Sequence, residues 1–470
     1  MLLVLLACAH PVTPAAPPAA PQVASDTKVA APPPVLPPVP LDPVLVRLQA
    51  LAAAEGDNAW RRLALLTDDV GCRPSGSAAY DRAVTWAVDQ WRADGVNVWT
   101  EPVTQPAWIR GTERLTMTAP RTQELAVLTL GGSVGTQGPI EAPVRVLHSF
   151  EELGPDVAGT IVVFNVPMAE GLPTVERYGD AVQYRVHGAA RAAKVGARAV
   201  LVRSVTTRSL YTPHTGATFY ADDAPKIPTA SITAEDADQI DRLVARGIPV
   251  TLRLDLGARS APDVASAQVL GEIRGSERPE EIVLIGGHLD SWDVGQGAQD
   301  DGAGVIEVME TLRLLQRLGV APKRTVRGVL YANEEFGLSG GKAYAAAHGA
   351  DHHVAAMESD LGAGAPVSWS AQGSPAQLSW LRQALTPLGL PVEEGGGGAD
   401  ISTLEPSGTL LVGFRPDDSR YFDIHHTEAD TIDKVDPAVL RAAVATVATY
   451  TWLVANAPDA PPLAPEAVHP

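Results

Sequence analysis

The sequence predicts an α/β fold in which a mixed, mostly parallel sheet is flanked by helices. Residues 281–285 form an apolar run that ends at Gly286 and Gly287, which is typical of a buried parallel strand. Residues 303–318 place apolar side chains on one broad helical face, and Gly319 follows as a helix stop. Because strand and helix alternate in this way, the pattern favours an open α/β domain.

Length and composition narrow the class of protein. A chain of 470 residues with 45% hydrophobic and 19% charged residues has room for a large core and an inserted module. A net charge of −19 without a basic run excludes nucleic acid as a partner, because phosphate binding needs clustered Lys and Arg. Cys8 and Cys72 are the only cysteines in the sequence, so metal ligands must be sought among His, Asp and Glu.

The first 43 residues predict export. The apolar opening that ends at Cys8 resembles the end of a bacterial lipoprotein signal, and it is too short to span a bilayer. Residues 9–43 are rich in Ala and Pro, which is typical of an extended tether. Cys8 is therefore the lipidation candidate, and the expected location is the periplasm, the outer membrane or the medium. The alternative is a misassigned start with no targeting meaning.

The remaining chain divides into three further parts. A helix at residues 80–91 and a strand at 96–103 open the main domain, which is predicted over residues 44–114 and 259–458. Residues 115–258 change to short strands with two helices, the second after a Thr233 cap, which indicates an inserted α/β module. Residues 459–470 form a Pro-rich tail.

Acidic and His side chains follow the predicted strands of the main domain. They are His288 with Asp290, Asp300 at the start of a helix, the pair Glu334 and Glu335, Asp360, and His426 beside His425. Ligands of open α/β sheets bind outside the carboxyl ends of the strands. We therefore expect these side chains to converge.

Each of these residues alone has an ordinary structural explanation. Asp300 could be only a helix cap, and Glu334 with Glu335 could be a solvated acidic turn. Together, however, hard oxygen and imidazole ligands suit zinc, although cobalt or manganese fits the same residue types. Adjacent acids at a strand end point in different directions, so one can hold metal while the other accepts a proton from the attacking water.

Several segments together resemble the M28 metallopeptidase family. They are residues 286–298 with Asp300 and Asp301, and residues 75–79, 334–335, 357–360, 399–402 and 425–426. The likeness spans about residues 44 to 455. It implies the zinc exopeptidase (phosphorylase/hydrolase-like) fold, and it implies that the insertion is of the protease-associated type.

The resemblance also implies a role for each site residue. His288 and Asp360 would hold one zinc, Glu335 and His426 a second, and Asp300 would bridge the two. Asp290 would orient His288, and Glu334 would be the general base and acid. The choice of His426 follows the family pattern, and His425 is the fallback. The other histidines are predicted to be surface or hydrogen-bonded side chains with no metal to bind, and only a weak case places His214 at the cleft mouth. They are His148, His187, His214, His348, His352 and His353.

The expected function is that of a zinc-dependent exopeptidase with two Zn²⁺ per chain. It would hydrolyse dipeptides or short peptides with a free terminus, using a water molecule activated by both metals. The main alternative is an M28 aminopeptidase acting on longer peptides. A glutaminyl cyclase-like acyltransferase with one zinc and a non-catalytic receptor on the same fold are the remaining alternatives. A peptide is the expected partner, while a lipid anchor and a homodimer stay open.

Overall fold

The computed structural model of the protein describes residues 42–55, 57–169 and 174–463. Cys8 and nearly all of the predicted tether lie outside the described residues, as do the last seven positions of the Pro-rich tail. Lipidation and export therefore stay predictions.

Over the described residues, the strands form two eight-stranded sheets. The strands are β1 (Asn97–Ile109), β2 (Glu113–Ala119), β3 (Gln123–Leu125), β4 (Val127–Thr129), β5 (Ile140–Leu147), β6 (Ile161–Phe164), β7 (Ala199–Arg203), β8 (Thr229–Ile232), β9 (Thr251–Leu256), β10 (Arg259–Ile273), β11 (Arg278–His288), β12 (Arg324–Tyr331), β13 (His352–Glu358), β14 (Pro366–Gln372), β15 (Val392–Glu394) and β16 (Leu410–Pro416).

The α-helices of the described residues lie between and beside these strands. They are α1 (Pro43–Ala54), α2 (Asp57–Ala64), α3 (Ala78–Ala93), α4 (Thr174–Lys194), α5 (Ala234–Ala245), α6 (Ala303–Leu318), α7 (Ser339–His348), α8 (Pro375–Ala384), α9 (Tyr421–Ile424) and α10 (Pro437–Asn456).

The first sheet has the strand order β1-β10-β12-β11-β13-β16-β14-β15. Its centre, β12-β11-β13-β16, is parallel. The pairs β1-β10, β10-β12 and β16-β14 are antiparallel, and the edge pair β14-β15 is parallel. Apolar residues of the sheet and of the helices pack on both faces. The predicted fold class, a mixed sheet flanked by helices, is confirmed.

The second sheet is built from the chain between Glu113 and Leu256, in the order β3-β2-β9-β5-β6-β7-β8-β4. Helix α4 packs on β6 and β7, and α5 packs on β5 and β7. Helix α5 begins after Thr233, whose side chain accepts a hydrogen bond from the Asp236 amide. The chain enters this sheet after β1 and leaves it into β10, which pairs with β1 in the first sheet.

Helix α6 anchors the site to the core. It spans the predicted residues 303–318, nearly all of its side chains are buried, and Gly319 ends it in a left-handed conformation with φ 68°. Helix α10 packs against it. Although α10 is long and apolar enough to cross a membrane, 61% of its apolar stretch is buried inside the protein, so that its apolar character serves the core.

Candidate metal centre

The four central strands of the first sheet deliver the predicted site residues to one edge. Strand β11 ends at His288, and β12 and β13 end shortly before Glu334 and Asp360. Strand β16 leads through α9 to His426. Because these strands are parallel, their carboxyl ends meet at the same edge.

The structure brings all five predicted ligands together in two groups that share Asp300. One group is His288, Asp300 and Asp360, and the other is Asp300, Glu335 and His426. In the first, His288 Nε2 lies 3.2 Å from Asp300 Oδ1 and 3.4 Å from Asp360 Oδ1. In the second, His426 Nε2 lies 3.1 Å from both Asp300 Oδ2 and Glu335 Oε2. Asp300 thus presents one oxygen to each group.

The loop that carries Asp300 is shaped by two other carboxylates. Asp430 Oδ1 accepts hydrogen bonds from the amides of Ala298 and Gln299, and its Oδ2 accepts one from the amide of Asp300. Asp301 accepts from the amide of His288 at 3.0 Å and from the amide of Gly304 at 3.0 Å. The two adjacent aspartates therefore differ in use, since Asp301 fixes backbone while Asp300 faces the ligand cluster.

Asp290 lies at a junction beside His288. Nδ1 of His288 is 3.0 Å from the Asp290 carbonyl oxygen and 3.8 Å from its carboxylate. The carboxylate accepts hydrogen bonds from Ser75 Oγ at 3.1 Å and from the Glu334 amide at 3.1 Å. A carbonyl at Nδ1 keeps Nε2 free for the ligand cluster.

The partner of His426 comes from the second sheet's segment, and the sequence interpretation missed it. Nδ1 of His426 lies 3.2 Å from the carbonyl oxygen of Thr215, and the Thr215 amide donates back to the His426 carbonyl at 2.9 Å. Arg185 Nη1 is 3.3 Å from the same Nδ1. Because these contacts join residues more than 200 positions apart, no local pattern in the sequence could have indicated them.

His425 occupies a different position from its neighbour. Its ring stacks on that of His426 at 4.2 Å, and neither of its nitrogens has a hydrogen-bond partner among the described residues. It belongs to neither ligand group. His214 lies behind it at 5.9 Å, and burial lowers the pKa of His214 to about 3, so this side chain is neutral.

Crowded carboxylates dominate the electrostatics of the cluster. Burial alone would lower the pKa of His288, but the Asp360 and Asp300 carboxylates raise it well above its ordinary value. The same holds for His426: burial alone would lower its pKa, but the Glu335 and Asp300 carboxylates raise the pKa well above its ordinary value. Burial raises the pKa values of Glu335 and Asp360 themselves. The carboxylates therefore favour a positive charge, whether a proton or a metal ion, at both histidines.

These residues fit divalent metal ions. Asp300 Oδ2 and Glu335 Oε1 are buried and lack a hydrogen-bond donor among the described residues, which is unfavourable unless a cation compensates them. Two imidazoles and three carboxylates are a ligand set suited to zinc. A divalent ion in each group would take over the role of the histidine protons, since metal binding displaces them.

A cavity of about 570 Å³ opens above the cluster. Its floor includes Asp300, Glu334, Glu335, Asp360 and His426. Its walls come from both sheets' segments, and residues 175–219 contribute Val175, Tyr178, Arg185, Val186, Ala217 and Phe219. The cavity is large enough for a small peptide and ends directly on the ligand cluster.

A parallel-centred α/β sheet with paired metal-binding groups at its strand ends defines a metal-dependent hydrolase. Residues 268–451 match the model of peptidase family M28. The chain belongs to this family and is a metallopeptidase, which confirms the family and the enzyme class predicted from the sequence.

Similar proteins extend the match over most of the chain. Carboxypeptidase Q of Bos taurus is 42% identical over 411 residues, which cover 85% of this chain and 86% of that protein. The crystal structure of a peptidase M28 precursor from Shewanella amazonensis superimposes with a TM-score of 0.85 at 35% identity, covering 90% of this chain and 99% of that one. A zinc aminopeptidase from Bacillus subtilis shares the fold, with a TM-score of 0.60 at 19% identity over 84% of this chain and 94% of its own.

Proposed function

We propose that this chain is a zinc-dependent exopeptidase, with two metal ions per chain, that hydrolyses dipeptides or short peptides with a free terminus. The observation that carries the proposal is the pair of ligand groups joined through Asp300 at the floor of the cavity. The M28 family and the carboxypeptidase Q relative support peptide hydrolysis.

His288 and Asp360 would hold one ion and Glu335 and His426 the other, and Asp300 would be shared between the two groups. When bound, the ions polarise the scissile carbonyl and lower the pKa of water toward neutrality. The protein's part is to keep the ligands oriented. Asp290 and Thr215 do this for the two histidines through contacts at Nδ1.

Glu334 is the proposed general base and acid. It lines the cavity beside the ligand Glu335, and its backbone is fixed by the hydrogen bond to Asp290. Its carboxylate would take a proton from the attacking water and later deliver it to the leaving amine. Burial raises the pKa of Glu334 well above its ordinary value. Nearby cations favour the ionised form of a carboxylate, so metal binding would poise Glu334 as a base.

We further propose that the protein is exported and that the chain is divided into the domains predicted from the sequence. In this proposal residues 115–258 are a protease-associated insertion in a catalytic domain of residues 44–114 and 259–458. What supports it is that the second sheet is contiguous in sequence and that α4 contributes to the cavity wall. Such a wall would limit the length of peptide that reaches the floor.

Metal analysis beside a dipeptide-hydrolysis assay tests the proposal. Wild type should bind two zinc ions per chain and hydrolyse dipeptides. Glu334→Gln should keep both ions and lose about 10²- to 10⁴-fold in kcat, the usual size of a general-base effect. Glu335→Gln is the matched comparison and should lose metal. A fully active, metal-loaded Glu334→Gln enzyme would show that the assigned base is wrong.

The second candidate is an aminopeptidase acting on longer peptides, favoured by the shared fold of the Bacillus subtilis enzyme. Rates on dipeptides and on longer peptides, each with blocked and unblocked ends, separate the two. Cleavage of peptides blocked at both ends would count against both. A stoichiometry of one metal per chain would instead favour a glutaminyl cyclase-like acyltransferase.

A further inference from the structure

Three basic side chains line the cavity, and they differ in how the protein uses them. They are Arg185, Lys342 and Arg415. Arg185 is engaged by the Tyr178 hydroxyl at 2.8 Å and lies against His426. Lys342 is an exposed helix residue that donates to the Gly337 carbonyl. Arg415 alone combines partial burial with a fixed orientation.

Neutral acceptors hold the Arg415 guanidinium in place. Its Nε donates to Ser370 Oγ at 2.8 Å, and its Nη2 donates to the Gly396 carbonyl at 2.9 Å. Ser370 Oγ donates to the same carbonyl at 2.7 Å, which locks the pair. Among the described residues, Nη1 has no hydrogen-bond acceptor and no acidic side chain forms a salt bridge with Arg415. The guanidinium is therefore held in place without a direct carboxylate contact.

Glu358, an acid of the cavity wall, is already hydrogen-bonded by the backbone. Glu358 accepts hydrogen bonds from the backbone amides of Ala399 at 3.1 Å and Ile401 at 2.9 Å. Burial lowers the pKa of Arg415, while the carboxylates of Asp360, Asp418 and Glu358 act in the opposite direction without forming a salt bridge with it. A guanidinium that is oriented by neutral acceptors and forms no salt bridge within the described residues is suited to bind an anionic ligand.

The strand register places Arg415 beside the ligand cluster. Strands β13 and β16 pair in parallel with Glu358 opposite Gly413. Asp360 and Arg415 each lie two residues beyond that pair, so they are neighbours at the same sheet edge. The adjoining wall is made of Gly397 and Gly398, where a Cβ would fall 2.8 Å from the Val412 amide and 2.5 Å from the Glu358 side chain. These two glycines therefore pack too closely against β16 and Glu358 to carry a side chain.

We propose that Arg415 binds a carboxylate of the substrate, so that the enzyme selects peptides with a negative charge next to the scissile bond. The inference rests on the proposed peptidase function and adds a substrate class to it. The carboxylate has two chemical sources, the terminal α-carboxylate of a short peptide or an acidic side chain. A planar guanidinium binds either by charge-assisted hydrogen bonds.

The test compares matched peptides with wild type, Arg415→Gln and Arg415→Lys. Alanyl-alanine and alanyl-alaninamide differ only in the α-carboxylate, while glutamyl-alaninamide and glutaminyl-alaninamide differ only in the side-chain charge. Wild type should prefer the charged member of one pair by roughly 10- to 100-fold in kcat/KM, mainly through KM. Arg415→Gln should lose that preference, and Arg415→Lys should keep part of it. The pair that responds identifies the source of the carboxylate.

The control is Arg420→Gln, which removes an exposed arginine on the following loop outside the cavity. It should keep the wild-type preference. Zinc content and thermal melting of each variant show whether it is folded. The proposal is overturned if wild type shows no preference within either pair, a result that does not depend on any variant, or if a folded Arg415→Gln enzyme keeps the preference.

Failure of the proposed function looks different. If wild type hydrolyses no peptide at all, the peptidase proposal is wrong, and calorimetric binding of the same four peptides to wild type and Arg415→Gln still decides the role of Arg415. Charge-selective binding that the variant loses supports the carboxylate site. Equal binding of the charged and neutral members of both pairs would contradict the carboxylate site.

Discussion

The backbone amide of Glu334 donates a hydrogen bond of 3.1 Å to Oδ1 of Asp290. The other oxygen of Asp290 accepts from Ser75 Oγ, which also receives a hydrogen bond of 2.9 Å from the Asn333 side chain. Since Asn333 has φ 62°, the turn that follows β12 is held in a left-handed conformation by these contacts. Asp290 therefore couples the proposed base to His288, since its carboxylate holds the Glu334 amide and its carbonyl oxygen contacts His288 Nδ1.

Asp290→Asn should weaken metal binding without unfolding the protein. The amide can still accept from Glu334, but the negative charge 3.8 Å from His288 Nδ1 is lost. We expect zinc affinity to fall roughly 10- to 100-fold, as is usual for such outer partners of a metal ligand. Competition with a chromophoric chelator measures this. The exposed Asp433→Asn is the control, and equal affinities of the two variants would remove Asp290 from this role.

Chelation should abolish activity and lower thermal stability. Without cations, the crowded buried carboxylates are poorly compensated, so the native state loses the free energy of metal binding. We expect activity to return in proportion to added zinc up to two equivalents per chain. Calorimetric titration of the stripped protein counts the ions. Full recovery with one equivalent would contradict the two-ion proposal.

Gly216→Ala should displace Arg185, whose guanidinium lies beside His426, and so destabilise the protein. A Cβ at Gly216 would lie 2.3 Å from Arg185 Cζ, on a backbone with φ 136°. Gly138 is the matched control, because it has φ 112° but nothing within 4 Å of a Cβ. The variants share the backbone strain, so Gly216→Ala should lose a further 1–3 kcal/mol, roughly the usual penalty for overpacking. Denaturant unfolding of both variants measures the difference, and equal losses would show that Arg185 moves freely.

His353 predicts a specific acid sensitivity. This buried ring bonds to the Tyr344 hydroxyl at 2.9 Å, and burial lowers its pKa from 6.5 to about 4. Between these values the unfolded chain binds more protons than the folded one, so stability is lost as pH falls through this window. The loss is up to about 3 kcal/mol at 1.36 kcal/mol per pKa unit.

His353→Gln keeps a hydrogen-bonding group but cannot titrate, so its stability should fall less between pH 6.5 and pH 4.5 than that of wild type. The neighbouring His352→Gln is the control and should follow wild type. Urea unfolding of chelated protein at both pH values keeps metal loss out of the comparison. Parallel pH profiles for all three proteins would show that His353 does not stay neutral in the fold.

Much of the first sheet was predictable because its elements carry strong local patterns. The apolar run before His288 lies within β11, and the periodic helix predicted at residues 303–318 matches α6. Strand β10 was not predicted. It contains Pro262 and polar residues, and its extended conformation comes from pairing with β1 along nearly its whole length. Pairing with a neighbour thus outweighed a weak local propensity.

The site likewise has a part that local sequence predicted and a part that depends on long-range contacts. The residue types and their strand-end positions predicted the cluster, whereas residue types alone could not separate His425 from His426. In the structure His426 has φ 62° and directs Nε2 to the cluster, while His425 stacks behind it. That choice depends on Thr215, 211 residues away, and on Arg185, whose partners become neighbours only in the folded chain.

The contact between Thr215 and His426 also sets an order for assembly during synthesis. The chain emerges from the ribosome N-terminus first, so the Thr215 segment is made well before its partner. The ligand group that contains His426 cannot close until residue 426 has emerged and met a segment already in place. If that group holds a metal ion as proposed, its loading would be a late event, and metal content would mark chains that have completed folding.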